Sequence, residues 1–553
     1  MPKVSIEKAA KFILLFIGLI LFIVFFLLNH VSGDLPDILW RFSLNRMHLR
    51  NEFSMPYITP AKCGGFLLAA DAQDLLFTVY MLMSFLIPNL LTMVKITNFL
   101  LSIVFAVGVY KWLVYFGIRN QLARMFTGLL VSVCGYWVFH LTTAGQLWAH
   151  GVAYMPWVMM VMEDLLQMRP QRTPQYLTRI LGLIFLFFLL INSGYFWLQI
   201  APMIIAGRFF ALLLSWPRIG AVYEFQLLKF PRLGDHINHM QVIGDTVYLF
   251  KTIFRSFFDA SYITVPHGGA MLGPGFFEIT NFIGPASIIA VVIGLTSLGR
   301  LMKSKLFVGL LFASFVQICL TRSTHAGDLL RMIAPVYKQI THYWRGSAIL
   351  VFVMSVLVGI GYEKLLNASR KGLNIFAVIL MLVTLGEIFT TYRYRFNLTT
   401  NPPLAALFKE ENPPSKPMTE HCAPCNLSNI FGYGHLVPTH LLIDLSKSFY
   451  YSPVPGYYNV LDVRKLFGSS GNNAFYFTHD WPLWPKADSA EFERYINYHQ
   501  VIEIPRGLRL MNYLSALTWV AYFVVCIFVL LAFSKSMTLW KPNIKTFLAR
   551  KKT

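Results

Sequence analysis

The chain has 553 residues, of which 56% are apolar, 16% aromatic and only 13% charged, with a mean hydropathy of +0.55. An ordinary soluble domain carries roughly 25% charged residues, so this composition excludes a soluble globular enzyme, a disordered chain and a fibrous repeat, and leaves a polytopic membrane protein. The net charge of +21 is spread over short loops and both tails between apolar runs, a pattern of membrane orientation rather than of nucleic-acid binding.

Phe12 to Leu28 is an uncharged run of 17 residues, enough to cross a hydrocarbon core of about 30 Å. Lys3, Lys8 and Lys11 precede it. The stretch NHVSGDLP that follows has no small-x-small cleavage pattern, so the run reads as an uncleaved first helix rather than a signal peptide. Further apolar runs lie at 75–91 (interrupted by Pro88), 96–116, 125–140, 149–166, 180–193, 196–214, 279–298, 305–320, 346–362 and 373–391. Tyr513 to Phe533 is uncharged over 21 residues and precedes Lys535, Lys541, Lys545, Arg550, Lys551 and Lys552. The positive-inside rule puts both termini in the cytoplasm, with the loops Arg119 to Arg124, Arg169 to Arg179, Arg300 to Lys305 and Lys364 to Lys371. Eleven uninterrupted spans would leave the termini on opposite sides. Either 196–214 and its neighbour form one bent crossing, or a weak span lies near 240–258.

Four segments then face outward: 29–74, 141–148, 321–345 and 392–512. The last holds twelve of the 28 prolines, which argues against buried helices there. Its runs Leu441 to Leu445, Ala474 to Thr478 and Val501 to Ile504 predict a small extracytoplasmic α/β or β-rich domain. The expected architecture is an α-helical polytopic membrane protein of about 11–13 transmembrane helices. Residues 1–391 form its multi-pass domain, 392–512 the outer domain, and 513–553 the last helix and a basic tail. Cys134, Cys319 and Cys526 lie in apolar runs and pack there. Cys63 is in the first outer loop. Cys422 and Cys425 read as a local disulfide or, with His421 and His435, as a metal site.

The first outer loop carries Asp34 and Asp37 just beyond the membrane exit, and Asp71 and Asp74 just before the next apolar segment. A carboxylate at the lipid–water boundary acts as base on a hydroxyl or holds a divalent cation on a phosphate. Alternatively, Asp34 caps the amphipathic stretch after it. His140 and His150 frame the 141–148 loop, with Gln146 and Trp148 between them; amide and ring suit a sugar, or an interfacial aromatic belt. The 321–345 loop holds Arg322, His325, Asp328, Arg331, Lys338, His342 and Arg345 on the outer side, against the orientation rule. Arginine there suits an anionic lipid phosphate, as ligand or as head-group anchor. Glycines and His267 mark the strip 265–278. GxxxxGKS, GxGxxG, HExxH and GxSxG patterns are absent.

The order of short motifs resembles the YfhO-type members of the GT-C superfamily of multi-pass glycosyltransferases, over roughly residues 10–445. Gly33-Asp34 stands in the place of an early Gly-Asp pair. Asn51-Glu52, Met55-Pro56 and Thr59-Pro60 fall where the family has Gly-Glu-x-Pro-x-Trp-Asn-Pro, without its Trp-Asn. Gly64-Gly65 and Ala70-Asp71-Ala72-Gln73 follow in order. Gly145 to Pro156, with His150, resembles the outer loop that ends in Trp-x-Pro, here with Pro156-Trp157. Asn192 to Tyr195 replaces a Gly-His pair. Asn281 to Gly284 resembles a Tyr-Ile-Gly helix entry. Trp344 to Ser347 stands in the Phe-Arg-x-Pro-x-Arg place, keeping one arginine, Arg345.

The resemblance implies a GT-C-like fold with a C-terminal extracytoplasmic domain, in the bacterial inner membrane. It implies transfer of a sugar from a polyprenyl-phosphate carrier to a glycan or glycolipid acceptor. Asp34 is the expected base, or a ligand to Mg2+ or Mn2+; no other cofactor is implied. Asp37, Asp71 and Gln73 are expected to bind acceptor or support Asp34. His150 orients sugar hydroxyls, and Arg345, Arg322 and Lys338 meet the carrier phosphate. Membrane lipids are partners and nucleic acid is not. A lipid-linked sugar flippase, an O-antigen ligase or polymerase, and a non-catalytic envelope glycan assembly protein compete with this reading. The sequons at Asn397 and Asn426 keep an endoplasmic-reticulum location open.

Overall fold

The computed structural model describes residues 6–29, 42, 46, 75, 78–142, 146–167, 174–193, 215–216, 253–264, 280–321, 348–398 and 506–533. Helix is the regular secondary structure among them, and they contain no strand. In hydrocarbon every backbone N–H and C=O must be satisfied within the segment, which long uncharged helices do. Five are long and apolar enough to cross a membrane: Lys8–Leu28, Leu90–Phe116, Gln121–Leu141, Ile349–Leu366 and Lys371–Arg393. Their outer faces are apolar, with Phe12, Leu15 and Phe16 exposed on the first and Ile379 and Val383 on the last, while Thr97, Asn98, Ser102 and Thr127 are buried. A water-soluble protein has the opposite distribution, so the chain is a membrane protein.

Helix α1 (Ile6–Phe22) continues through a π-helical turn, Ile23–Leu28. The run 75–91 is not a span. It forms an eight-residue helix, α2 (Val79–Leu86), that stops at the extended Ile87, because Pro88 has no N–H and disfavours a helical residue before it. Asn89 then caps α3 (Leu90–Trp112) by accepting from Thr92 N at 2.9 Å. A 3-10 turn and the left-handed Gly117 (φ 79°) close α3.

The expected run 125–140 is divided into α4 (Gln121–Ser132) and α5 (Gly135–Leu141). At the break Gly135 N donates to Phe282 O at 2.9 Å. A 3-10 segment, Leu147–Tyr154, leads into α6 (Met155–Gln167), and α7 is Pro174–Ile191. Within 279–298 only α8 (Ser287–Leu295) is a sustained helix, since Gly284-Pro285 delays its start. Then come α9 (Lys305–Thr321), α10 (Ala348–Leu366), α11 (Lys371–Leu398) and α12 (Arg506–Phe533). The run 196–214 lies outside the described residues, as does 240–258 except for its helical end at 253–258, and so does the outer domain between α11 and α12.

α10 is the hub, packing on α8, α4, α9 and α11. It runs parallel to α8 at backbone contact. A Cβ on Gly361 would fall 1.9 Å from Ala290 O, and one on Gly294 would fall 2.1 Å from Leu357 O. Hydrogen bonds gather the turns at one end of the bundle. Lys11 Nζ donates to Gln121 Oε1 (2.8 Å), Arg119 N to Glu363 Oε1 (2.8 Å), Asn120 Nδ2 to Asn367 Oδ1 (3.2 Å) and Lys364 Nζ to Thr296 Oγ1 (2.5 Å). Nearby, Asp164 in α6 accepts from Tyr115 (2.6 Å) and pairs with Arg179 of α7 (2.9 Å). The basic loops expected on one side of the membrane therefore share one end of the fold. At the opposite end Tyr392 collects the rings of Phe25, Phe139 and Phe282.

Gly361→Ala is expected to destabilise the purified protein by about 1–3 kcal/mol, because the new methyl meets backbone and not a movable side chain. Gly299→Ala, whose Cβ meets nothing within 4 Å, is expected to stay within about 0.5 kcal/mol of wild type. Unfolding in detergent micelles measures both.

Candidate functional site

Opposite the basic turns, α2, α3, α5 and the 147–154 segment enclose a buried polar cluster. The Tyr80 hydroxyl donates to Asn98 Oδ1, and Asn98 Nδ2 donates to Leu141 O at 3.1 Å. One amide thus joins α2 and α3 to the end of α5. His140 Nδ1 lies 2.8 Å from Tyr136 O, and His150 Nδ1 2.6 Å from Leu147 O. A carbonyl oxygen only accepts, so each Nδ1 carries a proton and donates it. Tyr80 and Tyr154 stand edge-on to His150 at 5.2 and 5.8 Å. Gln146 N donates to His140 O at 2.7 Å, and its buried Oε1 accepts no hydrogen bond among the described residues.

Two described residues of the first loop, Phe42 and Arg46, dock here. The Phe42 ring lies 6.0 Å from that of Tyr80. Arg46 Nη1 donates to Pro88 O at 2.8 Å and lies 3.4 Å from Ser84 O. In an unbroken helix the N–H of residue 88 would serve the Ser84 carbonyl, and proline has none. The break at Pro88 leaves carbonyls that Arg46 occupies, and a cation at a helix C-terminus also complements the helix dipole.

Of the residues singled out from the sequence, His150 is described, and it is fully buried. Asp34, Asp37, Asp71, Gln73, Arg322, Lys338 and Arg345 lie outside the described residues, as do Cys63, Cys422 and Cys425. Among the described residues no group of three or more His, Cys, Asp or Glu is placed to hold a metal. Cys134 is a free, buried thiol, as its apolar run implies. Sequence reading passed over Tyr80, Asn98, Arg46 and Glu387. Asn98 announces itself only as a carboxamide inside an otherwise apolar run. Glu387, in α11, accepts from Ala286 N at 2.9 Å and so caps the approach to α8. No protein-family model, curated protein or solved structure matches the chain.

Asn98→Ala strips Tyr80 OH of its acceptor and Leu141 O of a donor. A loss of about 2–4 kcal/mol is expected, against about 1 kcal/mol for Tyr80→Phe, both read from denaturant unfolding in micelles. Arg46→Ala is expected to raise protease cleavage within 29–74 while leaving the global unfolding midpoint nearly unchanged.

Proposed function

We propose that the chain is a membrane glycosyltransferase that moves a sugar from a polyprenyl-phosphate carrier to an extracytoplasmic glycan or lipid acceptor, in a bacterial inner membrane with both termini cytoplasmic. The observation that carries this reading is the docking of the first loop, through Phe42 and Arg46, beside the buried Tyr80–Asn98–His150 cluster. The motif order from Gly33-Asp34 to Arg345 supports it as a resemblance.

In this mechanism Asp34 removes the proton of an acceptor hydroxyl, and the oxygen attacks the anomeric carbon of the donor sugar. The bond from that carbon to the carrier phosphate breaks, and the phosphate leaves with its electron pair. Arg345, assisted by Arg322 and Lys338, stabilises the charge that develops there. Asp37, Asp71 and Gln73 hold the acceptor. His150, its Nδ1–H fixed on Leu147 O, orients a sugar hydroxyl. Mg2+ or Mn2+ held by Asp34 would supply charge stabilisation at the phosphate. The second reading is a lipid-linked sugar flippase. Glu387 favours it, as an ionisable residue within a membrane-spanning helix. The residues missing from the motif pattern favour a third, a non-catalytic assembly protein.

Purified full-length protein is to be offered a panel of polyprenyl-phosphate sugars with membrane glycolipid as acceptor, with divalent metal present or chelated. Wild type is expected to transfer sugar, and Asp34→Asn to lose at least about 100-fold in rate. Loss of activity on chelation assigns Asp34 to a metal. Equal turnover by both proteins removes Asp34 from the chemistry. No transfer by wild type, with carrier translocation in liposomes that Glu387→Gln abolishes, selects the flippase.

A further inference from the structure

We infer that the basic end of the bundle carries a binding surface for anionic phospholipid, built where the turns 117–121, 297–305 and 363–371 meet. Hydrogen bonds hold these turns together. Arg119 N and Asn120 reach Glu363 and Asn367, and Lys364 reaches Thr296. Arg119, Arg300, Lys303, Lys305, Lys364, Arg370 and Lys371 are all exposed on them. Glu363 is the one carboxylate among the described residues of these turns, and Arg119 N and Asn367 Nδ2 already engage it. None of the side chains of Arg300, Lys303, Lys305, Arg370 and Lys371 forms an ion pair among the described residues. Seven cations therefore face one carboxylate. Such a concentration of like charge raises the local positive potential and attracts an anion.

The surroundings select the anion. Leu298 and Met302 are exposed beside Arg300 and Lys303, and Leu373 and Phe376 beside Lys371. Phosphate-binding cations thus adjoin bare apolar helix within one turn. A ligand that satisfies both has a phosphate head and an acyl tail, whereas a soluble polyanion would leave the apolar part uncovered. The surface lies at the opposite end from the Tyr80–Asn98–His150 cluster, so this inference stands apart from the glycosyltransferase reading.

The test uses the full-length protein in neutral detergent with pyrene-acyl phosphatidylglycerol as probe, read by energy transfer from tryptophan. Unlabelled phosphatidylglycerol, phosphatidylcholine and glycerol phosphate compete. Phosphatidylglycerol is expected to displace the probe at least about tenfold better than phosphatidylcholine, a preference that fades in high salt. The triple variant Arg300→Gln, Lys303→Gln, Lys371→Gln is expected to abolish that preference. Should the triple variant aggregate, Lys303→Gln alone carries the comparison, with an expected loss of about fivefold. Three results overturn the inference: equal displacement by the two lipids, a preference the substitutions leave unchanged, or glycerol phosphate competing as well as phosphatidylglycerol, which would mean a site for free phosphate.

Discussion

The carbonyls of Ala290 and Leu357 lie where side chains would sit if Gly361 and Gly294 were any other residue. In lipid, apolar side chains gain little by facing each other instead of acyl chains, so helix association rests on close packing and on buried polar bonds. The crossing of α8 and α10 supplies that closeness. α10 in turn bears α4, α9 and α11, so an error in its distance from α8 would pass to the turn at Arg119, which hangs on Glu363 at the end of α10. It would also pass to Tyr392, whose hydroxyl reaches Phe282 O ahead of α8.

Membrane helices that stop early must find partners for their terminal backbone groups. Two such interruptions lie at the end of the bundle opposite the basic turns, and each is served by a charged side chain from elsewhere in the chain. Arg46 lies on carbonyls at the C-terminal side of α2. Glu387 accepts the N–H of Ala286 ahead of α8. A cation at a helix C-terminus and an anion at an N-terminus both match the sign of the helix dipole. The same arrangement ties the first loop to the buried cluster around His150. At the other end exposed cations predominate, with Glu363 and the Asp164–Arg179 pair as acidic partners among the described residues.

Composition and charge-free runs foretell the long helices, because length and hydropathy decide which segments cross a bilayer. The basic loops likewise mark the turns that come together near Glu363. Three features were less legible. Pro88 is visible in 75–91, yet the partner of the Ser84 carbonyl it leaves vacant, Arg46, lies 42 residues before the proline. Gly284-Pro285 shortens α8 through a left-handed backbone that hydropathy does not register. Asn98, Tyr80 and Glu387 are single polar residues in apolar sequence, and their meaning lies in partners distant along the chain. His150 was legible as a residue framing an outer loop, but its burial and the fixed position of its ring proton were not.

The two ends of the bundle, one basic and one holding the first loop and the His150 cluster, are expected on opposite faces of a membrane. Cysteine labelling in intact cells tests this most directly, in a variant lacking the six native cysteines. Asn51→Cys in the first loop and Ser369→Cys in the α10–α11 turn are each exposed to a membrane-impermeant maleimide. The account predicts that Asn51→Cys reacts in intact cells and Ser369→Cys only after permeabilisation. Labelling of both positions from the same side would contradict it.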